Sequence, residues 1–180
     1  MIDTFIQQET AGYNGILEMG SMLFDKLGYA TCTGPRVGIE IHQPYIDNPK
    51  AVAMRASKNI IALHGDMRDF ESLIEGYTFD LCMFSDTIEH LPKEDIVPII
   101  KRCQQLFKKI LIFCPEGNCP QNKDVLESGG DLYQTHFSEW SKEDLEELGF
   151  SVYVNPTFHG WVPEAGRVVG ALFATWKRVD

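Results

Sequence analysis

Short apolar runs, each closed by an acidic residue and followed by a helix-like stretch, recur through the first half of this chain and leave few folds open to it. The clearest is Leu81-Cys82-Met83-Phe84, which runs into Ser85-Asp86-Thr87 and then Ile88-Glu89-His90-Leu91-Pro92. An unbroken apolar run of this length, bounded by turn residues, suits a strand buried on both faces of a parallel sheet. Similar runs occupy 16–19, 36–41, 59–64 and 109–114.

The intervening segments read as helices. Residues 1–13 begin with one short helix. Ser21 to Leu27 predicts another, stopped by Gly28. Asn48-Pro49 pairs a capping side chain with proline at the first helical position, so a helix should open there. One or two helical turns are expected over 68–76. Beyond Pro92, Ile96, Ile99, Ile100, Cys103, Leu106 and Phe107 form an apolar stripe at helical spacing. Pro98 fits that helix if it starts near Asp95, because proline is tolerated in a first turn. Ser141 with Asp144 resembles a capping box before a helix that Gly149 ends. Residues 150–154 and 167–177 then predict a terminal antiparallel pair of strands. Strand and helix in alternation mean a parallel sheet covered by helices. The expected class is α/β, a doubly wound, mostly parallel sheet of seven strands with an antiparallel last strand.

With 180 residues and 44% apolar content, a single domain over 1–180 is expected. Lys and Arg number 16 against 26 for Asp and Glu, a net charge of −10. Such a surface repels phosphate backbones, so a nucleic-acid partner is disfavoured. No stretch approaches a membrane span, and the amino terminus lacks the basic start of a signal peptide, so a soluble cytoplasmic protein is expected. The five cysteines show no paired CxxC spacing and read as reduced and mostly buried. Cys114, Cys119 and His136 lack a fourth ligand and tight spacing, so no metal site is expected. Residues 115–140 form the one long connection poor in regular pattern, the kind of loop that serves as a lid.

Glu18, Glu40, Asp66 and Asp86 stand at the ends of four successive strands. Strand carboxyl ends border the ligand crevice of open α/β sheets. A carboxylate cluster there attracts a ligand bearing hydroxyls, amines and positive charge.

The order and spacing resemble class I S-adenosylmethionine-dependent methyltransferases, over nearly the whole length and on a Rossmann-like sheet. FDLCMFSDTIEHLPKED (79–95) is similar to the fourth-strand segment of the small-molecule branch, ILIFCPEG (110–117) to the fifth, and HFSEWSKEDLEELGF (136–150) to the late helix and its exit. VGIEI (37–41) looks like the second strand, whose acid holds the ribose. The resemblance implies that Glu18 and Gly20 lie by the methionine portion of S-adenosylmethionine. It puts Glu40 on the ribose hydroxyls and Ile41 on the adenine. Asp66 would accept from the adenine amino group under Met67, and Ser85 and Asp86 would border the methyl end. The family usually carries an acid and then three glycines at alternate positions; here the residues after Glu18 read Gly20, Met22 and Phe24. Larger side chains there threaten the close approach that glycine permits.

Methyl transfer is an in-line displacement that depends on positioning, and a hydroxyl or ammonium nucleophile also needs a base. His90, four residues after Asp86 and next to Glu89, is the candidate base; the neighbouring carboxylate should raise its pKa. His136 and His159 are weaker alternatives. His42 and His64 would only flank the cofactor, and Phe158 and Trp161 could wall a substrate site. The expected acceptor is a small molecule or a group on a carrier, with a homodimer or partner subunit finishing the pocket. A second function class is a catalytically silent, methyltransferase-like partner subunit. A nicotinamide dehydrogenase is disfavoured because the Gly-x-Gly-x-x-Gly turn is absent.

Overall fold

The computed structural model describes residues 1–179. Seven strands follow the order β3-β2-β1-β4-β5-β7-β6, so the expected mostly parallel α/β sheet with an antiparallel β7 is present. The chain divides into two compact units, residues 1–85 and 86–180.

The first unit holds α1 (Ile2–Thr10), β1 (Ile16–Met19), β2 (Arg36–Glu40), α2 (Gln43–Ile46), α3 (Pro49–Lys58), β3 (Ile60–His64), α4 (Phe70–Leu73) and β4 (Leu81–Ser85). β1 pairs in parallel with β2 and β4, and β2 with β3. Every residue of β1 and β4 is buried, Glu18 and Ser85 included, as suits strands covered on both faces. Asn48 caps α3 as expected, its side chain accepting from Lys50 N–H, and Asn59 ends that helix in the left-handed region at φ 53°. The helix expected over 21–27 does not form. Residues 22–26 are turns leading to a single 3₁₀ turn, Leu27–Tyr29. Met22 and Phe24 both hold positive φ, 45° and 61°, which no right-handed helix accommodates.

The second unit holds α5 (Lys93–Leu106), β5 (Lys109–Pro115), α6 (Asp131–Gln134), α7 (Lys142–Glu147), β6 (Ser151–Val162) and β7 (Arg167–Lys177). β7 lies antiparallel to both β5 and β6. β6 runs well past its expected end at residue 154, with a register break between Asn155 and Gly160. The stripe Ile96, Ile99, Ile100 and Cys103 is buried. That helix starts earlier than expected, at Lys93, which moves Pro98 out of the first turn. Pro98 is exposed and has no N–H, so the carbonyl one turn back loses its helix partner. Ser141 and Asp144 exchange both hydrogen bonds of the capping box. Residues 116–138 carry only the one-turn α6. All five cysteines are free, four of them buried. Among the described residues, no helix is long and apolar enough to cross a membrane.

Candidate active site

The first unit assembles its polar groups at the carboxyl ends of β1 and β2. Glu18 lies within β1 and is 1% exposed. Burial drives its carboxyl well above the usual range, against a hydrogen bond from Ser21, and Oε2 has no hydrogen-bond partner. Glu40 ends β2 and is 4% exposed. Its Oε2 accepts from Met22 N–H at 2.7 Å and its Oε1 from His42 N–H at 2.8 Å. Burial raises the Glu40 carboxyl, and those two backbone donors partly offset the rise. Each carboxylate oxygen accepts two bonds, so each keeps a lone pair for a ligand.

The turn after β1 answers the missing glycines. Gly20, Met22 and Phe24 hold φ of 73°, 45° and 61°. Three alternate positions of this turn therefore hold positive φ, two of them in residues that carry side chains. Left-handed backbone costs an L-residue roughly 1–2 kcal/mol. Phe24 turns inward and is fully buried, with the Arg55 guanidinium 5.4 Å from its ring centroid. Its ring rests on Gly38 of β2: a Cβ there would meet two Phe24 ring carbons at 2.7 and 2.8 Å. Gly38 thus provides the space that lets a phenylalanine stand in a glycine's place. Sequence reasoning missed this residue; a glycine inside a buried strand was the available signal.

Asp66 follows β3 but is already engaged. Arg68 donates to it through its backbone N–H (2.9 Å), Nε (3.1 and 3.0 Å) and Nη2 (2.5 Å). Burial would raise this carboxyl, yet the Arg68 contacts outweigh it and hold Asp66 below the usual range. Met67 and Ile41 are half-buried, and the Ile41 carbonyl meets His64 Nε2 at 3.0 Å. Ser85, the last residue of β4, is 6% exposed.

The second unit brings together Asp86, Glu89, His90 and His136. Asp86 holds φ 49° and its N–H donates to Phe113 O at 2.8 Å. Glu89 and His90 sit on the 3₁₀ turn Ile88–His90. Phe137 and Ser138 N–H both donate to the Glu89 carbonyl, at 2.8 and 3.1 Å, and so fasten the 116–138 loop to that turn. His90 Nδ1 meets the Thr135 carbonyl at 3.2 Å, and His136 Nδ1 meets the Cys119 carbonyl. The two imidazoles stand edge to face, 4.8 Å between centroids. His159 packs on Phe113 and Phe158 rather than on this pair, and Trp161 is 66% exposed.

His90 departs from its expected chemistry. Burial lowers its pKa to about 4, aided by His136, where a carboxylate neighbour was expected to raise it. Glu89 does not offset this, because burial and the Asp86 charge push its own carboxyl well up. Burial likewise lowers His136.

No protein-family model matches the chain, and no curated protein matches it in sequence. Solved structures match it in fold. The N-terminal domain of EvdMO1 with SAH bound aligns at TM-score 0.66 and 12% identity, over 98% of this chain and 79% of that one. An O-methyltransferase family protein from Burkholderia thailandensis aligns at TM-score 0.61 and 12% identity, over 100% and 56%. The small RNA methyltransferase HEN1 aligns at TM-score 0.66 and 13% identity, over 99% of this chain and 25% of that one. The chain has the class I methyltransferase fold. At such identities the likeness concerns the fold, and these methyltransferase neighbours differ among themselves in acceptor.

Proposed function

We propose that this methyltransferase-like chain is an S-adenosylmethionine-dependent methyltransferase that transfers a methyl group by in-line displacement to a small-molecule or carrier-attached acceptor. Glu40 carries the proposal. A buried carboxylate at the end of β2, aimed by two backbone donors and keeping a lone pair on each oxygen, suits a vicinal diol such as the ribose hydroxyls. The residues around it fit the rest of the cofactor. The orphaned Glu18 Oε2 would accept from the amino group of the methionine portion, beside the positive-φ turn at Gly20. Ile41 and Met67 would pack on the adenine; Asp66 would take its amino group only by sharing its oxygens with Arg68. Ser85 and Asp86 would border the methionine end. When bound, the cofactor supplies an electrophilic methyl on a sulfonium.

His90 favours a second reading. A base with a pKa near 4 takes up few protons at neutral pH, so the chain could instead be a silent binding subunit. Calorimetric titration with S-adenosylmethionine, S-adenosylhomocysteine and NAD tests both, followed by a screen of acceptors with labelled methyl donor. Binding of the first two and not the third supports the enzyme; binding of none favours the silent subunit. Glu40→Ala, checked for folding by circular dichroism, should weaken cofactor binding at least tenfold, about 1.4 kcal/mol. Unchanged affinity would mean that the carboxylate holds no ribose.

A further inference from the structure

The three side chains Glu89, His90 and His136 present ligand atoms that all lie within 4.8 Å of one another. We propose that they form a binding site for a divalent first-row transition ion such as Mn²⁺, Co²⁺ or Zn²⁺.

The arrangement has the chemistry of a ligand set and little of a stabilising core. Glu89 is 3% exposed, and among the described residues neither of its carboxylate oxygens has a partner of good hydrogen-bond geometry, although the Thr87 and Glu89 N–H groups lie close enough to ease the burial in part. Burying such a group without partners is costly, and a cation between it and two imidazoles removes the cost. Both histidines are prepared for the task. A carbonyl can only accept, so the bonds from His90 to Thr135 O and from His136 to Cys119 O put the proton on Nδ1. That leaves the lone pair of each ring on Nε2, the usual arrangement of histidine ligands held by a second hydrogen bond. The two chain segments that supply the donors are locked together by Phe137 and Ser138 N–H on the Glu89 carbonyl, so the set is fixed before any ion arrives.

Two imidazoles and one carboxylate select borderline ions over Mg²⁺ or Ca²⁺, which prefer all-oxygen shells. Three protein ligands also leave at least one coordination position open. An oxygen ligand there would have its pKa lowered by the ion. Its use on an acceptor hydroxyl rests on the methyltransferase reading; the binding of the ion does not.

The test uses the full chain freed of metal with a chelator, without cofactor. Mn²⁺ is titrated and free ion followed by electron paramagnetic resonance, and Co²⁺ is titrated and its visible ligand-field bands recorded. One saturable equivalent per chain is expected, with a rise in melting temperature on loading. Glu89→Gln, which keeps the side-chain shape, and His136→Ala, which alters the loop instead, should each weaken binding at least tenfold while circular dichroism stays native. Absence of saturable binding in the wild type overturns the site, and so does unchanged affinity in either folded variant. S-adenosylmethionine binding, measured separately, stands or falls on Glu40.

Discussion

Gly38→Ala probes the packing that makes the altered first turn workable. The added Cβ would lie 2.7 and 2.8 Å from two ring carbons of Phe24 and would also strike Ser21 Oγ. The hydroxyl can rotate away. The ring cannot, because Phe24 is fully buried and its backbone is already committed to φ 61°. Overpacking of this kind costs roughly 1–3 kcal/mol. If the turn shifts to relieve it, Met22 N–H leaves Glu40 Oε2, and a hydrogen bond to a charged acceptor contributes about 1.5–3 kcal/mol. The two penalties are alternatives in part, so a loss of about 2–4 kcal/mol is expected, a large share of the roughly 5–15 kcal/mol that holds a domain together. Urea unfolding followed by circular dichroism measures it. Phe24→Leu in the same chain should give back part of the loss, with a coupling of at least about 1 kcal/mol in the double-mutant cycle. If Gly38→Ala changes stability by less than about 0.5 kcal/mol, or the two substitutions simply add, the ring is not seated on Gly38 and the account of the turn is wrong.

Glu89→Gln changes the pH dependence of stability, measured by urea unfolding in the presence of a chelator. The Glu89 carboxyl is raised in the folded state, so the stability it contributes is complete at acid pH and lost as pH climbs through the raised value. The variant should therefore gain on the wild type as pH rises above the ordinary carboxyl range; a constant difference would mean that Glu89 is hydrated. His90, lowered to about 4, acts in the opposite sense, and its contribution is lost as pH falls from its ordinary value toward 4. Ser141→Ala removes one half of the capping box on α7 and should cost about 0.5–2 kcal/mol in thermal unfolding. No loss would mean that α7 is held by Leu145 and its packing alone.

Local rules made much of the architecture legible. The mostly apolar runs of β1, β4 and β5 are strands buried throughout, Asn48-Pro49 opens α3, and Ser141 with Asp144 caps α7. Each of these depends on residues close together in the chain, where periodicity and capping chemistry speak directly. The segment 21–27 failed because its helical pattern competes with Phe24 packing on Gly38, a partner on another strand.

The site divides in the same way. Glu40 was readable because a strand ends where its apolar run ends, and Glu18 was placed only one residue off, inside β1. What they do was not. Backbone donors from Met22 and His42 aim Glu40, Arg68 occupies Asp66, and burial lowers His90 where a neighbouring carboxylate promised to raise it. The grouping of His136 with Glu89 and His90 was equally out of reach, since a loop far along the chain brings it there. Desolvation and long-range hydrogen bonds depend on which segments meet in space. The amino-acid order therefore determined the strands, the caps and the acids at their ends, while the tertiary structure decided which of those groups are charged, paired or open to a ligand.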